Sequence, residues 1–291
     1  MKRVLLLIMA VMLSLPALSQ QDSDLPEDEE SLFGYMVGDV KPDKKKVKVE
    51  IVNGFTVKWG TIIPSKRRVL RKLINNMVFV DGGTFQMGGA DSVAFDDEQP
   101  VHSVTLSSYC INKYEVTQKE WGVVMDSNSS YFKGLNLPVE AITYDECNRF
   151  VQRLYELTGL NFRLPTEAEW EFAARGGNLS QGYKYSGSNN IDEVGWCGDN
   201  SEERSHKVGE KMPNELGLYD MSGNVYEWCG DWYKRDYYFE SPVNNPQGPD
   251  SGTHHVLRGG SWFNYPWCCR VSFRDGAQPN ATGNAGLRLA M

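Results

Sequence analysis

Two neighbouring stretches narrow the folds open to this chain: NELGLYDMSGNVYEWCGDW, from Asn214 to Trp232, and VLRGGSWFNYPWCCRVSFR, from Val256 to Arg274. Gly and Asn recur in them too often for a helix to persist, and Trp, Tyr and acidic residues fill the gaps. From Gly176 onward Gly, Asn, Ser and Asp dominate. Sparse regular structure is therefore expected there, and the large flat rings suit either a core or a carbohydrate- or peptide-binding surface. The 28 glycines fall in turn-like clusters without a repeat, which reads as a loop-rich fold and not a fibrous one.

Ahead of this region three helices share one start signal. Thr117 is followed by Glu120, Thr143 by Glu146 and Thr166 by Glu169. Each pair reads as a capping box, in which the Thr hydroxyl accepts from a first-turn amide and the Glu reaches back to the Thr amide. Apolar residues at helical spacing follow each one: Trp121, Val124 and Met125; Cys147, Phe150, Val151 and Leu154; Trp170, Ala173 and Ala174. All three helices are expected to be amphipathic and packed on one side. Upstream, 77–87 reads as two strands around Asp81-Gly82-Gly83, and 101–114 as another strand pair. Residues 47–63 read as a short hairpin around Asn53-Gly54. The basic stretch Lys66 to Lys72, with Val69, Leu70 and Leu73 interleaved, reads as a short helix packing on the domain or as a contact surface.

The N-terminus reads as an export signal. Lys2 and Arg3 precede an apolar run from Val4 to Leu15, and small residues end it at Ala17 and Ser19. The run is shorter than the roughly 20 residues a bilayer span needs. The organisation expected is a signal peptide at 1–19, a charged extension at 20–74 and the main domain at 75–291. An exported location, periplasmic, secreted or on the cell surface, follows, with no transmembrane span after signal removal. A formal net charge of −8 gives no basic footprint for nucleic acid. Six cysteines in an oxidising compartment have the option of pairing, and their spacing fits no zinc site.

Six motifs occur in the order found in the formylglycine-generating enzyme family, whose domain is also called the sulfatase-modifying-factor domain. They are MVFVDGGTFQMG (77–88), INKYEVTQKEW (111–121), FRLPTEAEWEFAARGG (162–177), NELGLYDMSGNVYEWCGDW (214–232), LRGGSW (257–262) and GLRLA (286–290). The chain resembles that family over residues 75–291. The resemblance implies a compact, loop-rich α+β fold, distantly similar to C-type lectins. It also implies a range of roles: oxidases that make formylglycine in sulfatases, enzymes acting on small molecules, and proteins that display binding surfaces.

The oxidases of that family hold Cu(I) between two thiolates, C-x4-C, shortly after Gly-Gly-Ser. Counted without gaps from Gly259-Gly260-Ser261, the two positions here are Asn264 and Cys269, so one thiolate is missing. Counted back from Arg270 and Arg274, which resemble the family's two arginines, the positions shift and Cys269 no longer coincides. A bis-thiolate copper site is not expected. Cys269 and Ser261 remain the catalytic candidates, and Tyr226 stands where the oxidases usually have Trp. The resemblance also implies a calcium loop in which Asp220 and Glu227 offer carboxylates and Gly223 and Val225 offer carbonyls, with a solvated loop and a salt-bridged Glu227 as the alternative. Trp262, Tyr265, Trp267, Arg270 and Arg274 are the substrate-binding candidates, for a peptide or a sugar, weighed against core packing for the rings and internal ion pairs for the arginines. The four histidines have no iron-binding spacing. Two readings follow. One is a calcium-stabilised binding or assembly module with a protein or peptide partner in the exported compartment. The alternative is an oxygen-dependent enzyme acting on an exported protein or small molecule, which requires a reactive, low-pKa thiol near Cys268 or Cys269.

Overall fold

The computed structural model describes residues 47–90 and 92–291. The export signal and the charged stretch up to Lys46 lie outside the described residues.

The described chain opens with a hairpin, β1 (Lys48–Val52) and β2 (Phe55–Trp59), paired from Lys48↔Trp59 to Val52↔Phe55. Asn53 and Gly54 have φ of 49° and 80°, the two left-handed residues of a two-residue hairpin turn. Helix α1 (Pro64–Asn75) begins at a proline whose fixed φ suits the first helical position. It buries Val69, Leu70, Leu73 and Ile74, which settles the expectation for the Lys66–Lys72 stretch in favour of a packed helix. The hairpin is tied to the body through Gly60 N, which donates to Leu157 O at 2.9 Å, and through Asn53 Nδ2, which donates to Ile74 O and Met77 O.

Strands β3 (Met77–Val80), β4 (Gly83–Met87), β5 (His102–Leu106) and β6 (Tyr109–Asn112) lie where the sequence places them, but β3 does not pair with β4, nor β5 with β6. β3 pairs with β6 and β4 with β5, all antiparallel. The β3–β4 and β5–β6 turns pack against each other: a Cβ on Gly82 would lie 2.4 Å from Leu106 O.

Helices α2 (Gln118–Val124), α3 (Tyr144–Thr158) and α4 (Glu167–Ala174) each start at the expected box. Thr117, Thr143 and Thr166 accept from Glu120 N, Glu146 N and Glu169 N, and each Glu reaches back to its Thr. α3 stops at Gly159, which takes the left-handed cap at φ 68°. α4 departs from the one-sided expectation, because every residue from Glu167 to Ala174 is buried. Its carboxylates tolerate this because each meets a guanidinium. Glu167 binds Arg274, Glu169 binds Arg163, and Glu171 binds Arg175 and Arg258.

After one helical turn, α5 (Ile191–Val194), the chain is mostly loop. It also contains the largest sheet, with strand order β10-β7-β8-β9: β7 (Tyr226–Trp232), β8 (His255–Arg258), β9 (Asp275–Ala277) and β10 (Ala285–Gly286). The residues after β10 continue inward. Val116 N and Asn112 N donate to Leu287 O and Leu289 O, Ala290 exchanges bonds with Arg163, and Met291 exchanges bonds with Cys110. The main core lies beneath, around Trp170, Phe172, Leu218, Met221 and Val256.

That core is crossed by ion pairs. Arg270 binds both oxygens of Glu98 at 2.7 and 2.5 Å, and Arg274 binds both oxygens of Glu167 at 2.6 and 2.7 Å. Asp231 accepts from Glu167 N at 2.8 Å, and burial, reinforced by the Glu167 charge, pushes its carboxyl up to about 8. Buried pairs of this kind contribute little net stability but are costly to break, so they fix which segments meet.

Candidate functional site

The loop from Gly259 to Arg270 carries most of the residues that sequence reasoning selects. Gly260 is at φ 71°, and a Cβ there would lie 2.7 Å from Cys269 Sγ, so only glycine lets the two ends of the loop close on each other. Pro266 then starts a single 3₁₀ turn, Pro266–Cys269, which directs Cys268 and Cys269 inward.

Ser261 is fully buried and its hydroxyl is fully engaged. It donates to Asn264 Oδ1 at 2.5 Å and accepts from Asn284 Nδ2 and from Phe263 N. Asn264 thus occupies the first of the two expected thiolate positions as a hydrogen-bond partner of the serine. Nearby, the Tyr226 hydroxyl donates to Asp275 Oδ2 at 3.2 Å. The result is a neutral amide–hydroxyl cluster, Ser261, Asn264 and Asn284. It holds a polar group in place but supplies no base to take the serine proton.

The cysteines do not form the activated thiol that an enzymatic reading requires. All six are free thiols, and only Cys110 is less than buried. Cys269 lies in a small apolar cluster with Tyr185, Ile191, Val194 and Cys197. Burial raises its thiol well above the ordinary value, reinforced by Cys197 and Cys268. Burial also pushes Cys268 up to about 11, with the charge of Asp275 adding to the shift. Both therefore stay protonated at neutral pH, the reverse of an activated nucleophile.

The rings and the arginines of the same loop part company. Tyr265 and Trp267 are exposed and half-stacked, 6.1 Å between centroids with planes at 18°. Trp267 also meets Phe95, exposed like itself, at 5.4 Å and the buried Phe273 at 5.8 Å, so three exposed rings rest on one buried ring. Trp262 is half-buried, edge-on to Phe132 at 5.2 Å. Phe95, against Trp267, and Phe132, against Trp262, are ring partners that sequence reasoning missed; each sits in a polar segment with no periodicity to mark it. Arg270 and Arg274, candidates for substrate binding, are instead buried against Glu98 and Glu167 and do not present their guanidinium groups at the surface.

On the other side of the loop is the carboxylate cluster built by Asp220, Glu227 and Glu115. Asp220 and Asn224 adopt φ of 59° and 61°, and Gly223 between them is so close to Trp196 that a Cβ would lie 2.2 Å from its carbonyl oxygen. Such a tight turn costs free energy and is held by its surroundings. Asn224 donates to Glu115 Oε2 at 2.6 Å, and Val225 N donates to Glu115 Oε1. Glu227 accepts from Arg288 on both oxygens and from Trp170 Nε1 at 2.7 Å, which leaves its lone pairs occupied. Asp220 Oδ2 accepts from Gly209 N at 2.7 Å, whereas Oδ1 is buried with no hydrogen-bond partner. Burial pushes Asp220 up to about 6, and burial together with Asp220 and Glu227 raises Glu115 strongly. Three buried carboxyls thus share one guanidinium. Among the described residues no three His, Cys, Asp or Glu side chains converge as a metal cage, so an ion here would need backbone oxygens too.

An α+β domain with this Gly-Gly-Ser loop, this acidic turn and this weave of buried ion pairs is of the sulfatase-modifying-factor type. Residues 65–291 match the family model described as the sulfatase-modifying factor enzyme 1-like domain, and the chain belongs to that family. The match begins within α1, ten residues ahead of the boundary expected at 75. Among its relatives, the chaperone protein LppX of Paenibacillus barcinonensis is 34% identical, over 74% of this chain and 89% of the relative. The formylglycine-generating enzyme of Thermomonospora curvata is 32% identical, over 77% of this chain and 96% of its own. Among solved structures, variable protein 1 of Treponema denticola superposes with a TM-score of 0.65 at 31% identity, covering 84% of this chain and 98% of that one. No helix among the described residues is long and apolar enough to cross a membrane.

Proposed function

We propose that this chain is an exported binding or assembly module of the sulfatase-modifying-factor family and not a copper oxidase. One observation carries the reading: Asn264, where the first thiolate is needed, is a hydrogen-bond partner of Ser261. Two further features support it. Cys269 is buried with a raised thiol, and the surface beside the loop presents the exposed rings of Phe95, Tyr265 and Trp267 without a nucleophile. Aromatic surfaces of this size suit a protein or peptide partner. The description of the Paenibacillus relative as a chaperone is in keeping with that class of partner.

Calcium belongs to the same proposal. Asp220 Oδ1, buried and unpartnered, together with the carbonyls of Gly223 and Val225, is the hard-oxygen set Ca²⁺ prefers. A divalent ion would offset the excess negative charge left when Arg288 alone faces Glu115, Asp220 and Glu227. Glu227, with its lone pairs taken by Arg288 and Trp170, would act through its charge and not as a ligand.

Elemental mass spectrometry on protein purified without chelator or affinity metal tests both parts. The reading expects calcium near one per chain, lost in Asp220→Asn, with neither copper nor iron. Stoichiometric copper, with oxygen consumption on a cysteine peptide, would overturn it in favour of the enzyme reading.

A further inference from the structure

The hairpin β1–β2 leaves a strand edge that none of the described residues pairs with. Among the described residues β1 is hydrogen-bonded to β2 alone. The pair flanking the two-residue turn, Val52↔Phe55, exchanges both ladder bonds, so by alternation Glu50 and Lys48 also turn their amides toward β2. Ile51, Val49 and Val47 therefore turn theirs outward, to the open edge. The same three residues carry the exposed apolar side chains of the hairpin: Val47 is 68% exposed, Val49 59% and Ile51 65%. Lys48 and Glu50 alternate with them on the opposite face, where Glu50 accepts from Trp59 Nε1 and Arg71. Proteins usually blunt such an edge with proline, a bulge or a charge pointing to the apolar side, and none is present between Val47 and Val52.

We infer that β1 pairs antiparallel with β1 of a second copy of this chain, about a two-fold axis at Val49. The register is selected by the residues themselves. Centred on Val49, it places Val49 opposite the second copy's Val49 and Val47 opposite Ile51, all at positions whose amides face outward. On the other face it sets Lys48 opposite Glu50 in both directions. Sliding the strands by two residues either way places Glu50 opposite Glu50 or Lys48 opposite Lys48, which is unfavourable. The edge is therefore complementary to itself in hydrogen bonding, apolar surface and charge, as an isologous contact requires. The strand is short, so the contact is a dissociable one, with a dimer constant in the micromolar range. The inference does not depend on the proposed calcium site or on the absence of copper, since the hairpin lies outside both.

Analytical ultracentrifugation of the full chain over a concentration series tests it. The wild type is expected to move from monomer to dimer. V49K sets two lysines face to face at the axis, and V49E two glutamates; each should weaken the dimer by at least about 30-fold. Mixing the two variants should restore a heterodimer, which also shows that both still fold. In the wild-type dimer the amides of Val47, Val49 and Ile51 should exchange slowly with solvent, and in V49K quickly. A wild type that remains monomeric at its highest soluble concentration would overturn the proposal. So would a dimer indifferent to V49K, which would place the contact on another face. A monomer with these amides already protected would show that some other segment occupies the edge, and would also overturn it.

Discussion

Asp231 provides a quantitative test of the ionic core. Its carboxyl is fully buried beside Glu167 and is raised from 3.8 to about 8. A raised carboxyl is protonated in the folded state while the unfolded chain releases the proton. Below about pH 4 both states hold the proton and the group has no effect. Between about pH 4 and pH 8 the folded state becomes progressively less favourable, and above pH 8 the penalty is complete. At about 1.4 kcal/mol per unit, the four-unit rise corresponds to at most about 5–6 kcal/mol, and relaxation of the network reduces this to roughly 3–5 kcal/mol. Asp231→Asn keeps the shape and an oxygen to accept from Glu167 N, and has no charge to lose. Any misfit of the new amide adds a constant offset, so the informative quantity is the slope. Urea denaturation of both proteins from about pH 4.5 to pH 9 should show the variant gaining about 3 kcal/mol or more relative to wild type across the range. A stability difference that stays flat with pH would refute the reasoning, because Asp231 would then be ionised in the fold.

Further outcomes follow from the same geometry. Arg288→Met leaves Glu115, Asp220 and Glu227 without their shared guanidinium and should cost about 3–5 kcal/mol by urea titration, partly recovered in a double variant with Glu227→Gln. Cys268 and Cys269 should be alkylated by iodoacetamide at pH 8 at least ~100-fold more slowly than a free thiol, and both should react fully in denaturant. Rapid labelling of either, followed by peptide mass spectrometry, would favour the enzyme reading. Thr143→Ala removes the acceptor for Glu146 N and should lower stability by about 1 kcal/mol, measured as a shift in the unfolding midpoint.

Local signals in the sequence held wherever one short segment decides its own conformation. The three Thr–Glu boxes place the starts of α2, α3 and α4, Asn53-Gly54 places the hairpin turn, and the strands from Met77 to Asn112 lie where they were expected. What a sequence cannot carry locally is partner choice. Nothing in β3 states that it pairs with β6 in preference to β4, because its partners, Tyr109 to Asn112, are distant in sequence. The burial of α4 on all sides was hidden because Glu167 and Glu171 carry charges whose arginines, Arg274 and Arg258, are distant in sequence. β7 was missed for a related reason: Tyr226 to Cys229 are buried without a break, so the two-residue alternation that marks a strand is absent. At the candidate site, the Gly-Gly-Ser turn and the substitution by Asn264 were legible. Asn284, which completes the serine's hydrogen bonds, lies more than twenty residues away in an unpatterned loop.

The weave of residues 285–291 has a consequence for how this domain is made. Those residues bond to segments around Cys110, Asn112, Val116, Ile142, Arg163 and Tyr226, and Arg288 supplies the guanidinium at the centre of the acidic cluster. A nascent chain that has reached β9 therefore has its helices and hairpins but not the thread that stitches them together. Folding of this topology must wait for sequence-distant contacts, which slows it. A truncation ahead of Ala285 should yield a chain that a cell's proteases clear and not a domain with a shortened end.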